Sequence, residues 1–90
     1  MALTTASNNQ VVTAPDTAEN TFRFADGVKK PAAVTVWWIT VVSGTIQFAA
    51  DEAITADHHA WPVDSKIPMT VHKTLHYKAA SDTDKFTVTV

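Results

Sequence analysis

The stretch AVTVWWITVV, residues 33–42, decides the fold, because it contains two threonines, no charged residue and otherwise only apolar side chains. Successive side chains of a β-strand point to opposite faces of the sheet. Val36 and Trp38 therefore share one face, whereas Trp37 and Ile39 share the other. Both faces are apolar, so we expect one to fill a core. The other needs cover from a loop, from the N-terminal segment or from a second molecule.

The rest of the chain is also typical of β-structure. The 90 residues include fourteen threonines, eleven valines and only two glycines, and β-branched side chains favour a pleated strand over a helix. We predict an all-β fold, a small antiparallel β-sandwich or barrel of about six or seven short strands. An N-terminal arm over residues 1–20 precedes the β-sandwich domain of residues 21–90.

Turn residues separate the predicted strands. Phe22 and Phe24 begin a hairpin that turns at Asp26 and Gly27, and Ser43-Gly44 makes a second hairpin between residues 33–42 and 45–50. A long connection follows, with one short edge strand near Ile54. Three further strands are predicted at the end of the chain, over residues 67–71, 74–79 and 85–90.

The size of the chain makes help from a neighbour plausible. A domain of 90 residues buries only roughly 60–65% of the surface that its unfolded chain exposes. Without cysteine no disulfide can compensate, which leaves metals or protein partners. The arm has one aliphatic pair, Val11-Val12, and we expect it either to be mobile or to lie on a neighbouring surface.

Several functional classes find no support in the sequence. The net charge of −2 and the scattered lysines and arginines argue against nucleic-acid binding. No run of about 20 apolar residues predicts a membrane span, and residues 1–10 do not resemble a signal peptide, so we expect synthesis in the cytoplasm. No serine lies in a GxSxG motif, and neither glycine belongs to a phosphate-binding loop. We therefore expect no enzymatic activity and no cofactor.

The histidines and aromatic residues leave two alternatives open. His72 and His76 would lie about 13 Å apart on a strand and cannot share one metal ion, so only the loop from Asp57 to Asp64, with His58 and His59, is a candidate metal site. We favour solvent-facing polar histidines over a metal. The second alternative is a carbohydrate- or receptor-binding module that presents Trp61, Tyr77 and the histidine loop to a glycan.

From residue 33 to the end, the sequence resembles the small β-sandwich structural proteins encoded beside the capsid and tail genes of tailed bacteriophages. The resemblance lies in the Gly-Thr-aliphatic-x-aromatic pattern of residues 44–48 and in the polar, proline-containing loop of residues 59–62. It extends to a short strand at 67–71 and to the strand, Ala-Ser turn and alternating terminal strand of residues 75–90.

This resemblance implies a virion component, a decoration or cement protein that binds the outer capsid surface, stabilises it and forms trimers. No catalytic residue is carried over from it. We expect the arm, one of the two adjacent tryptophans with Ile39 or Val41, and a tryptophan in the polar loop to contact the capsid or a second copy. The predicted contact residues are Val11, Val12, Pro15, Trp37, Trp38, Ile39, Val41 and Trp61.

Overall fold

The computed structural model describes residues 9–23 and 35–89. These residues form two antiparallel four-stranded sheets packed face to face and no helix, so the predicted all-β sandwich is confirmed, with eight strands where six or seven were expected. The strands are β1 Asn9–Thr13, β2 Glu19–Phe22, β3 Thr35–Ser43, β4 Ile46–Ala50, β5 Ala60–Trp61, β6 Lys66–Val71, β7 Leu75–Ala79 and β8 Lys85–Thr89.

The strand order is that of a jelly roll. The first sheet has the order β1-β8-β3-β6 and the second sheet the order β2-β7-β4-β5. The strands at the same position in the two orders, such as β1 and β2 or β8 and β7, are therefore consecutive in the chain. The connections β1–β2, β3–β4, β5–β6 and β7–β8 therefore all cross from one sheet to the other. This winding of eight antiparallel strands into two sheets defines the jelly roll among β-sandwiches.

The predicted hairpin across Ser43-Gly44 is wrong. β3 pairs with β6 and β8 in the first sheet, whereas β4 pairs with β5 and β7 in the second. Gly44 has a φ of +77°, a left-handed conformation that costs glycine little, and here it turns the chain across the sandwich. A Ser-Gly turn serves a crossing and a hairpin equally well, and here the pairing of β3 and β4 with strands later in the chain places them in different sheets.

Other strand predictions had mixed outcomes. The three C-terminal strands are confirmed as β6, β7 and β8. The prediction of an edge strand near Ile54 is wrong. The short edge strand is β5, which pairs with Ile46 and Gln47 of β4. Residues from Phe24 to the predicted turn at residues 26–27 lie outside the described residues.

The boundary between arm and domain also differs from the prediction. Residues 9–20 contribute all of β1 and the beginning of β2 to the sandwich. Val12 lies opposite Phe86 of β8 and packs against the core, and this pairing supplies the hydrogen bonds and burial that the segment lacks by itself. Residues 1–8 of the predicted arm lie outside the described residues.

Aromatic rings from both sheets join the sandwich at its centre. Phe86 of β8 meets Phe48 of β4 and Tyr77 of β7 edge to face, with ring centroids 5.0 and 4.9 Å apart. Such contacts add to the free energy of burying the rings. The largest fully buried side chains are Trp37, Phe86, Ile39, Ile46, Leu75, Val41, Val71 and Val88.

Candidate functional site

The outer face of the second sheet is covered by the chain itself, by the segment of residues 51–59 that follows β4. The side-chain amide of Gln47 donates to the carbonyl oxygen of His58 at 2.9 Å. At the other edge of the sheet, the backbone amide of Ile54 donates to the carboxylate of Glu19 at 3.1 Å. Ala49, which points outward from β4, is consequently only 1% exposed. On this side of the sandwich, the 51–59 segment covers part of the sheet.

Two histidine–carboxylate pairs hold the 51–59 segment. The backbone amide of Thr55 donates to Nδ1 of His58 at 2.9 Å, so the ring proton lies on Nε2, which contacts the Glu52 carboxylate at 3.0 Å. His76 of β7 contacts Glu19 of β2 at 2.8 Å. This hydrogen bond holds the pKa of the Glu19 carboxyl below its usual value; burial opposes the shift.

Asp51 fixes the start of the same segment. Its carboxylate accepts hydrogen bonds from the backbone amides of His72, Lys73 and Thr74 at 2.7, 2.6 and 2.9 Å. Burial acts to raise the pKa of Asp51, but these backbone donors outweigh it and leave the pKa below its usual value. The turn between β6 and β7 is therefore tied to the end of β4.

The outer face of the first sheet, by contrast, is open in the described part of the chain. Five large apolar side chains are exposed, and four of them belong to β1 and β3 of this sheet. Trp38 lies near the centre, opposite Pro68 of β6 and Thr89 of β8. The four are Val11, Val36, Trp38 and Val42, which are 65%, 48%, 51% and 46% exposed.

This open face carries little charge. The pairing register places mainly threonine, valine, proline and tryptophan on it. Its charged residues among those described are Lys66 and Lys85, both exposed and both near the end of β3 that leads into Gly44. A face with only two charged side chains among those described and a half-exposed tryptophan near its centre is similar in composition to known protein-contact surfaces, in which a few aromatic side chains often supply much of the affinity.

The predicted contact residues divide between this face and the core. Trp37, Ile39 and Val41 are 2%, 0% and 0% exposed and point toward the second sheet, so the predicted combination of an exposed tryptophan with Ile39 or Val41 does not occur on this surface. Trp38 and Val11 lie on the open face. The structure does not bring the remaining three together: Val12 packs on the core, Pro15 is exposed in the β1–β2 connection, and Trp61 is half-buried in β5.

Sequence reasoning missed Val36 and Val42 as members of the exposed set. The signal was present, because alternation puts both on the same side of the strand as Trp38. The sequence does not reveal which of the two apolar sides faces the other sheet.

The structure bears on the residues of the two alternatives in different ways. Tyr77 is 4% exposed and packs on Phe86, so it is not available to stack on a glycan. Trp61 meets His59 edge to face, with ring centroids 4.5 Å apart. Within residues 9–23 and 35–89 no three His, Cys, Asp or Glu side chains are grouped so as to hold a metal ion.

Comparison with known proteins adds no assignment. No protein-family model matches the sequence, and no curated protein is significantly similar to it. Within the described ranges, no helix is long and apolar enough to span a membrane.

Proposed function

We propose that this chain is a structural protein of a phage particle, a decoration or cement protein that binds the outer surface of the capsid through the open face of the first sheet. The proposal combines the sequence resemblance with one structural observation. Trp38 is half exposed at the centre of an almost uncharged face, while the opposite face of the sandwich is covered by its own 51–59 segment.

The indole of Trp38 gives an expected magnitude. Covering its exposed half removes roughly 100 Å² of apolar surface, which contributes about 2.5 kcal/mol at about 25 cal/mol per Å². This corresponds to a factor of about seventy in affinity. Lys66 and Lys85 at one end of the face favour a capsid surface that presents carboxylates there.

The experiment uses particles of the phage that carries the gene, assembled without this chain. Purified chain is added back, and binding is measured by co-sedimentation and by the temperature at which the particles release DNA. We expect the wild-type chain to bind and to raise that temperature, and Trp38→Ala to bind roughly seventyfold more weakly. Val63→Ala is the control, because Val63 is similarly exposed, at 49%, but belongs to the β5–β6 connection and not to a strand of the open face.

Two results would contradict the proposal. One is failure of the wild-type chain to co-sediment with particles at micromolar concentration. The other is equal binding by Trp38→Ala and Val63→Ala. If the wild-type chain instead binds glycans on an array and Trp38→Ala does not, the carbohydrate-binding alternative replaces the capsid proposal.

The resemblance also implies self-association into trimers. The open face would be occupied by the capsid, so contacts between copies need a different surface.

A further inference from the structure

The strands at the sheet edges differ in how well they are protected from pairing with another strand. An unprotected edge strand is a template for strand addition, and natural proteins block it by shortness, charge or proline. In the second sheet, β5 has two residues, and β2 has four and carries Glu19. In the first sheet, β6 carries Lys66 and Pro68. Among the four edge strands of the described residues, only β1, with the sequence NQVVT, has at least five residues, no charge and no proline.

Backbone hydrogen bonds show which groups of β1 face outward. The amide of Ala14 donates to the carbonyl of Asp84 at 2.8 Å, and the carbonyl of Ala14 accepts from Thr83 at 2.9 Å. Backbone groups of an antiparallel strand alternate in direction along the chain. The backbone amide and carbonyl of Val12 therefore point toward β8, as those of Ala14 do. The backbone amides and carbonyls of Val11 and Thr13 point to the free edge of the sheet.

The same reasoning shows that the other edge of the first sheet is interrupted. The amide of Val41 donates to the carbonyl of Ser65 at 3.0 Å. The backbone amide and carbonyl of Val41, and by alternation those of Ile39, therefore point toward β6. Ile39 lies opposite Ile67, and the next residue, Pro68, therefore turns its backbone nitrogen to the free edge. Proline has no N–H to donate, so this edge lacks a donor near its centre.

We propose that β1 is a self-pairing edge, and that its occupant is β1 of a second copy of this chain, antiparallel and centred on Val11. A two-fold axis at Val11 sets this residue opposite its own equivalent, so that two amide–carbonyl hydrogen bonds form at the centre. Because β1 is uncharged, self-pairing brings no like charges together. The 65% exposed Val11 side chain gains a cross-strand neighbour on the outer face.

The paired chains form one continuous eight-stranded sheet from two first sheets of four strands each. Their two open faces then lie side by side and remain free to bind the capsid. The inference does not depend on the proposed function, because the edge and the face are different surfaces. It does predict two copies where the resemblance implies three, since a two-fold contact between identical edges closes at a pair.

The test is sedimentation equilibrium of the full chain over a range of concentrations. We expect the wild-type chain to reach twice its mass of 9.8 kDa. Val11→Pro removes one outward N–H per copy and leaves the bonds to β8 in place, so dimerisation should weaken about tenfold to thirtyfold. Val11→Thr, which keeps the N–H, the β-branch and the neutral charge, is the matched control and should dimerise normally.

Amide hydrogen exchange identifies the edge independently of whether a variant folds. In the wild-type chain, the amides of Val11 and Thr13 should become protected as the concentration rises, while that of Thr70 on the opposite edge should stay unprotected. A chain that remains monomeric at millimolar concentration overturns the inference. So does a trimer, or a dimer in which Val11 and Thr13 exchange as fast as Thr70.

Discussion

The adjacent residues Trp37 and Trp38 provide the sharpest test of how the sandwich is oriented. Trp37 is 2% exposed and Trp38 is 51% exposed, although the two have the same side chain and share one strand. Trp37 also meets the ring of Phe22 edge to face at 6.2 Å. Trp37→Ala leaves a cavity between the sheets and should cost about 3–5 kcal/mol, whereas Trp38→Ala opens no cavity and loses only the contacts of the buried half of its ring, which should cost about 1–2 kcal/mol.

The difference between these magnitudes is measurable on the scale of a small domain. A chain of 90 residues has a free energy of unfolding of roughly 5–13 kcal/mol. Trp37→Ala therefore removes a large share of the total, and at about 4–8 °C per kcal/mol it should lower the Tm by at least about 12 °C. Trp38→Ala should lower the Tm by clearly less than Trp37→Ala does, because it opens no cavity.

Urea unfolding followed by far-ultraviolet circular dichroism measures both changes under the same conditions. Each variant is the control for the other, because both remove an indole from the same strand. Measurement at low micromolar concentration, with mass checked by light scattering, separates folding from association. Equal destabilisation by the two substitutions, or a larger effect of Trp38→Ala, would refute the assignment of the buried and open faces.

The remaining predictions concern the turns. Gly44→Ala should cost about 2–4 kcal/mol, because φ is +77° and the new Cβ would overlap the carboxylate of Asp84. Urea unfolding should show a smaller cost of this substitution in an Asp84→Ala background. An equal cost in both backgrounds would mean that the overlap is absent. Asp51 and Glu19 have lowered pKa values in the folded state, so the stability they contribute is complete above about pH 4–5 and is lost as the pH falls below that range. Asp51→Asn should cost about 1 kcal/mol at pH 7, because the hydrogen bonds of Asp51 are exposed to solvent. It should also make stability depend less on pH below about pH 4–5, and an unchanged dependence would contradict this role.

Much of the strand pattern was predictable from the sequence. β6, β7 and β8 were predicted because alternation and turn residues both mark them. The alternation within β3 correctly separated Trp37 from Trp38. Local periodicity is a property of neighbouring residues, so it can be read without knowing the fold.

The pairing of strands was not predictable in the same way. The sequence predicts a hairpin at the Ser43-Gly44 turn, but the turn crosses between the sheets, because β3 pairs with β6 and β8 and β4 pairs with β5 and β7, all of which lie later in the chain. The segment of residues 9–13 has weak apolar character, and its place in the first sheet depends on bonds to β8, more than 70 residues later in the chain. Interactions over such a separation leave no local signal.

The sequence by itself determined that the chain is all-β, where most strands lie, and that one strand is apolar on both sides. Only the tertiary structure decided which side is buried, because that depends on where the second sheet packs and on which outer face the 51–59 segment covers. Side-chain alternation offers two equivalent faces, and it is the packing of residues distant in the chain that makes Trp37 part of the core and leaves Trp38 on the open face.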